Sequence, residues 1–176
     1  MSAQPPSETH THAARGKIHG EHPRGDRGQL ICLLIFLTVW ILDSFVFKFS
    51  TSLSGIVPPF VRIVAAGAVL FYALYLMRSG HRAISHEVQS HPQVLNDGAF
   101  ARVRHPLYLA ALLFYVFLFV LTLSLISLGL FAGIFVFYNA IAAYEERWLE
   151  QKFGQEYRDY RDKVPRWIPR LRPARF

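Results

Sequence analysis

The sequence predicts an all-α integral membrane protein of about four transmembrane helices, with a polar central loop and an amphipathic helix near the C-terminus. Three observations predict this. The 176 residues are 52% hydrophobic and 18% charged, against about 25% charged in average soluble chains. No charged residue occurs from Pro106 through Tyr144. The net charge of +7 comes from Lys and Arg that bracket apolar blocks, a pattern that speaks against nucleic acid as partner and for a bilayer. A chain of this length makes one domain. Cys32 is the single cysteine, which excludes an intrachain disulfide and a Cys-based zinc site.

Residues 1–28 are polar, rich in Gly, Pro and His, and read as a disordered tail. They lack the small-residue cleavage site of a signal peptide. His10, His12, His19 and His22 read as solvated tail residues, a weak metal site being the other reading. Gln29–Phe49 is the first spanning candidate, since a bilayer demands about twenty residues. The second runs from about Pro58 to Met77, with Pro58 and Pro59 suited to a first turn. The uncharged run from Pro106 to Tyr144 would make a single helix about 58 Å long, nearly twice the roughly 30 Å hydrocarbon core. It is therefore two helices, and Leu121–Leu128, with Thr122, Ser124 and Ser127, is the expected reversal.

Of the 19 Lys and Arg residues, all but Lys48 and Arg62 fall in the tail, the loop 78–104 and the segment after Arg147. The positive-inside rule places those three regions, hence both termini, on the cytoplasmic side. Asp43 and Arg62 lie near the outer ends of spans one and two and suit a structural pair or snorkelling.

Polar chemistry collects on the other side. Asn96-Asp97-Gly98 signals a turn. Pro106 suits the first turn of the third span, with His105 at its boundary and Tyr108 able to share its face. Asn139, Ala142 and Glu146 share a face where the fourth span leaves the membrane. Glu146 there has room for a bound cation; equally, Glu145, Glu146 and Glu150 form a solvated face paired with Arg147 and Lys152. Beyond Gly154, the stripe Phe153, Tyr157, Tyr160, Val164 marks an amphipathic helix that lies on the membrane or folds over the central loop. Val164-Pro-Arg-Trp-Ile-Pro169, followed by Arg170, Arg172 and Arg175, suits an aromatic anchor among anionic headgroups.

The ordered set Arg104-His105-Pro106-Leu107-Tyr108, Glu145-Glu146, Phe153-Gly154-Gln-Glu156-Tyr157, Tyr160 and Val164–Pro169 resembles the isoprenylcysteine carboxyl methyltransferase family, integral-membrane enzymes related to phospholipid methyltransferases. The resemblance covers about residues 80–169. It implies a cytoplasm-facing pocket for S-adenosylmethionine and a lipid or lipophilic small-molecule substrate that enters from the bilayer. It further implies that Gln89, Pro92, Gln93, Val94, Leu95 and Phe100 contact the cofactor, as do His105, Pro106, Leu107 and Tyr108, with Glu146 on its amino group. Asn139 and Ala142 would face the substrate. The domain division that follows is a tail (1–28), a transmembrane methyltransferase domain (29–169) and a basic C-terminal tail (170–176).

Two departures stand out. Gly98-Ala99-Phe100-Ala101 replaces Gly-Pro-Tyr-Arg, and Ala142 stands where the family often carries a substrate-contacting Arg one turn before Glu146. Without that cation a buried acceptor carboxylate lacks a visible counter-charge, which favours a neutral acceptor unless Arg102 and Arg104 fold inward. An NADPH-dependent sterol-type reductase and a non-catalytic membrane accessory protein of the same fold share parts of the pattern. Titration with both cofactors separates the three.

Overall fold

A computed structural model describes residues 25–87, 94 and 96–176. The described chain is helical. Helix α1 (Gly25–Ile41) runs on into a π-helical turn, Leu42–Phe47, and starts at Gly25 rather than at the expected Gln29. A short 3₁₀ turn, Ser52–Gly55, leads to α2 (Pro59–Glu87). Helices α3 (Pro106–Thr122), α4 (Leu125–Phe153) and α5 (Gln155–Lys163) follow. Three stretches are long and apolar enough to cross a membrane: Arg27–Phe47, Pro59–Ser85 and Leu125–Phe153. Helix α3 is also apolar but has only 17 residues.

The reversal between α3 and α4 falls inside the expected Leu121–Leu128. Leu123 takes the left-handed conformation at φ 53° and ends α3, its N–H donating to Phe119 O. Ser124 caps α4, its hydroxyl accepting from the Ser127 N–H at 3.0 Å. α2 passes the expected end at Met77 and continues through Arg78 to Glu87. The loss of apolarity there marks where lipid ends, whereas no Pro or other strong breaker stops the helix before that point.

Small residues set the packing. Ala66, Ala73, Leu76 and Gly80 form a buried seam down α2, and a Cβ on Gly80 would come within 2.9 Å of Leu107 Cδ2 at the start of α3. Such close approach is how helices associate where lipid removes the hydrophobic drive. Phe36, Leu112, Tyr115, Leu118, Ile134 and Tyr138 bind α1, α3 and α4 into one core. The outward faces are apolar as well, with Phe71 76% exposed on α2 and Val136 67% exposed on α4. An apolar surface this extensive suits a membrane environment.

α5 folds over the central loop. Tyr157, Tyr160 and Val164 are buried against Val94, and the Tyr160 hydroxyl donates to Phe100 O at 2.9 Å. The chain then turns back along the loop. Arg104 N–H donates to Pro165 O, Arg170 N–H to Arg102 O and Ala174 N–H to Ala101 O, at 2.8 to 3.0 Å. Residues 170–176, set apart as a tail by composition, thus form a strap clasped to residues 101–104.

Candidate functional site

One carboxylate organises the loop end of the bundle. Glu146, on the last turns of α4, is 6% exposed. Arg166 grips it with two prongs, Nε to Oε1 at 2.9 Å and Nη2 to Oε2. His105 Nε2 stands 3.1 Å from Oε1. Arg104 Nε lies 3.2 Å from the same oxygen, close enough for charge attraction but not aligned as a hydrogen bond, so this buried donor has no acceptor. Two guanidiniums and an imidazole therefore meet at one carboxylate, the bidentate fork being the strongest of these contacts.

Local sequence explains how each group arrives. Pro106 opens α3 and fixes His105 at its cap position. The turn before it depends on Gly98, whose φ of +56° favours glycine and whose Cβ would lie 3.3 Å from Ser79 Oγ. Pro165 and Pro169 bracket Arg166 and Trp167 in a bent, non-helical stretch held by the Arg104–Pro165 backbone bond. The imidazole of His105 stacks on Tyr108 at 5.5 Å with rings 7° apart, and Trp167 lies 6.0 Å from it. Burial holds the His105 pKa below its ordinary value, outweighing the upward pull of Glu146 and helped by Arg104 and Arg166. His105 is a neutral ring at neutral pH. Glu145, next to the cage, accepts from the Tyr108 hydroxyl and lies 3.6 Å from His105 Nδ1.

The expected site residues separate into groups. His105, Pro106, Tyr108 and Glu146 do meet, with Leu107 beside Gly80. Val94 is buried, and its N–H donates to Glu156 Oε1 at 3.2 Å. Phe100 is half-buried under Tyr160. Gln89, Pro92, Gln93 and Leu95 lie outside the described residues. Ala142 is wholly buried, and Asn139 Oδ1 accepts from Arg166 Nη1 and from Trp167 Nε1, both at 3.1 Å. Glu150 departs from the solvated-face reading in its partners, Arg161 at 2.7 Å and Arg158 at 3.5 Å. Lys152 instead lies over the Trp148 and Phe153 rings.

Arg166 is the residue that sequence reasoning missed. The aromatic and arginines around it read as a headgroup anchor, whereas Arg166 and Trp167 turn inward to α4. A signal was present: with Ala142 one turn before it, Glu146 has no cation at that position of its own helix face, which leaves room for one from elsewhere. The Arg166 guanidinium does so, spanning from Glu146 to Asn139 along the face that carries Ala142.

No family model matches the chain, and no solved structure matches it. Over 82 residues it is 32% identical to Protein-S-isoprenylcysteine O-methyltransferase B of Arabidopsis thaliana, covering 46% of this chain and 42% of that protein. Over 45 residues it is 49% identical to an uncharacterized protein of Haemophilus influenzae, covering 26% of this chain and 71% of that one. The match thus spans less than half the length of the Arabidopsis protein. This distant similarity, on a bundle with three helices able to cross a membrane, supports a methyltransferase-like function.

Proposed function

We propose that the chain is a membrane methyltransferase that uses S-adenosylmethionine and methylates a lipophilic acceptor drawn from the bilayer, with four spans and both termini and the site in the cytoplasm. The observation that carries this reading is the convergence on Glu146 of three segments remote in sequence: Arg104-His105, Glu145-Glu146 and Arg166-Trp167. All three lie within the motifs that carry the family resemblance, and the similarity to the Arabidopsis methyltransferase agrees with it.

The donor set fits the cofactor. Arg104 Nε is a buried donor without an acceptor, suited to a carboxylate, and Glu145 supplies negative charge for an ammonium, while Glu146, expected on that amino group, is already engaged by Arg166, Arg104 and His105. Gln89, Pro92, Gln93, Val94, Leu95 and Phe100 would hold the rest, with His105 to Tyr108 at the start of α3. When bound, S-adenosylmethionine supplies a methyl group on a sulfonium centre already activated for displacement. The protein's part is alignment and exclusion of water. The neutral His105 ring, pinned by Glu146 and stacked on Tyr108, gives a rigid wall, and the Tyr108–Glu145 pair can take a proton from an acceptor that carries one. Asn139 and Ala142 belong to the acceptor side in this reading, with Arg166 as the cation along their face.

Isothermal titration of the full chain in detergent tests the proposal. The expected result is saturable binding of S-adenosylmethionine and of its demethylated product, with none of NADPH. Binding of NADPH alone would sink it.

A further inference from the structure

Three arginines of this region have different surroundings. Arg104 and Arg166 crowd Glu146, whereas Arg102 is tied only through its backbone, its N–H to Ala99 O and its carbonyl to Arg170 N–H, both at 3.0 Å. Among the described residues no hydrogen bond or ion pair holds its guanidinium. That side chain lines a cavity of about 570 Å³ between Tyr75 of α2, Asp97 of the loop, and Ala174 and Phe176 of the strap.

The height of this cavity can be read from α2. Tyr75 is 44% exposed and lies three residues before Arg78, the first charge after it on α2. Tyr72 and Tyr75 stack at 6.1 Å. Exposed tyrosines just before the first basic residue mark the level where acyl chains give way to headgroups. The strap agrees, since Ile168 is 80% and Leu171 96% exposed. Two bare aliphatic side chains between arginines suit a boundary that is apolar below and anionic above. Arg170, Arg172 and Arg175 make the strap strongly positive, and Asp97 is the single acidic side chain among the residues lining the cavity.

We propose that this cavity binds the phosphodiester headgroup of an anionic phospholipid, with Arg102 on the phosphate and Ile168 and Leu171 in the acyl boundary. A guanidinium matches phosphate oxygens with paired donors, and Asp97 and Asn96 are placed to accept from headgroup hydroxyls. Phosphatidylglycerol, anionic and rich in hydroxyls, is the probe this chemistry selects. The site is independent of any methyl transfer.

Native mass spectrometry of the full chain in detergent, titrated with phosphatidylglycerol, tests the proposal. One lipid should be retained preferentially, and Arg102→Gln should lower its occupancy about tenfold, as loss of a charge-assisted contact does. Arg102→Lys, which keeps the charge and loses the paired donors, should fall between the wild-type chain and that variant, and Arg78→Gln, at an exposed position outside the cavity, should keep all of it. Undiminished retention by Arg102→Gln overturns the proposal. Because a misfolded variant would imitate the loss, the wild-type chain is also titrated with phosphatidylcholine, and equal retention of both lipids overturns it too. Glycerol 3-phosphate separates the two sources of phosphate. If it displaces the lipid at matched concentration, the site takes a soluble phosphate and the lipid assignment fails.

Discussion

The bundle buries one carboxylate at each end, to nearly the same depth and by opposite means. Glu146, at the loop end, is 6% exposed and is met by Arg104, Arg166 and His105. Asp43, at the far end, is 4% exposed and is met by neutral donors: the Ser50 N–H at 3.1 Å, the Ser50 hydroxyl at 2.5 Å and the Ser124 hydroxyl at 2.6 Å. The expected pairing of Asp43 with Arg62 does not form, because Arg62 Nη1 donates to Leu121 O at 2.9 Å instead. The hydroxyl cage ties the α3–α4 reversal to the end of α1, since Ser124 also caps α4 and Ser44 reaches Thr122. That is a structural clasp of neutral donors, although the nearby Arg62 Nε, like Arg104 Nε at the other end, is a buried donor without an acceptor. The charged cage differs in gathering two guanidiniums and an imidazole on one carboxylate.

The largest break in this comparison is Glu146→Gln. Removing the charge leaves Arg104 and Arg166 facing each other without compensation, and breaking a buried pair in this way costs about 3–5 kcal/mol. Thermal unfolding in detergent should show a large drop, and cofactor binding should weaken with it. Glu150→Gln, whose half-exposed side chain meets Arg158 and Arg161, should cost under about 1 kcal/mol. Equal shifts would mean that Glu146 is an ordinary surface acid. Asp43→Asn comes next, at about 1–3 kcal/mol. An amide nitrogen would face Ser50 or Ser124 donors, but no cation is stranded. A loss as great as that of Glu146→Gln would show that the two cages do not differ in kind.

These two ends were unequally legible in the sequence. The reversal at Leu123–Ser124 followed from length alone, because a single helix across Pro106–Tyr144 cannot fit a bilayer. His105, Tyr108 and Glu146 were singled out through spacing and resemblance, whereas Arg104, Glu145 and Arg166 stood in the resembling motifs without a role in the site. Arg166 was read as a surface group because its partner lies on a different element and its neighbours Trp167, Arg170 and Arg172 suggest a headgroup anchor. The serines around Asp43 were hidden for the same reason. Two hydroxyls and a backbone N–H satisfy a carboxylate as an arginine does when they converge, and convergence is a tertiary fact that no local spacing encodes. The length of α2 was missed because apolar content reports the solvent of a helix and not its end.

The imidazole sharpens the comparison further, since only the charged cage contains a group that titrates near neutrality. His105 is held neutral by burial, with its pKa below the ordinary value. As pH falls through about 6.5, the unfolded chain takes up the proton and the folded chain resists it, so stability declines from there downward and is fully present above. One group can contribute at most about 1.4 kcal/mol per pH unit. Unfolding of the wild-type chain between pH 7.5 and pH 5.5, compared with His105→Gln, should show a slope in the first that is shallower in the second. A wild-type chain that becomes more stable on acidification would show His105 to be charged in the cage.

The smallest effect is expected from Trp167→Phe, which asks whether the charged cage depends on its outer members. Trp167 Nε1 and Arg166 Nη1 share one acceptor, Asn139 Oδ1, each at 3.1 Å. Phenylalanine keeps an aromatic surface against His105 and Phe135, whose rings lie 6.0 and 5.6 Å from that of Trp167, and removes only the donor. Asn139 then remains satisfied by Arg166, so no buried acceptor is orphaned, and the cost should be that of one neutral hydrogen bond, about 0.5–1.5 kcal/mol. The bidentate contact of Arg166 with Glu146 does not pass through the indole and should persist. Thermal unfolding should therefore shift slightly while cofactor affinity stays within about twofold. If affinity falls as far as in Glu146→Gln, the indole sets the position of Arg166, and the cage must be redrawn with Asn139 and Trp167 as its foundation.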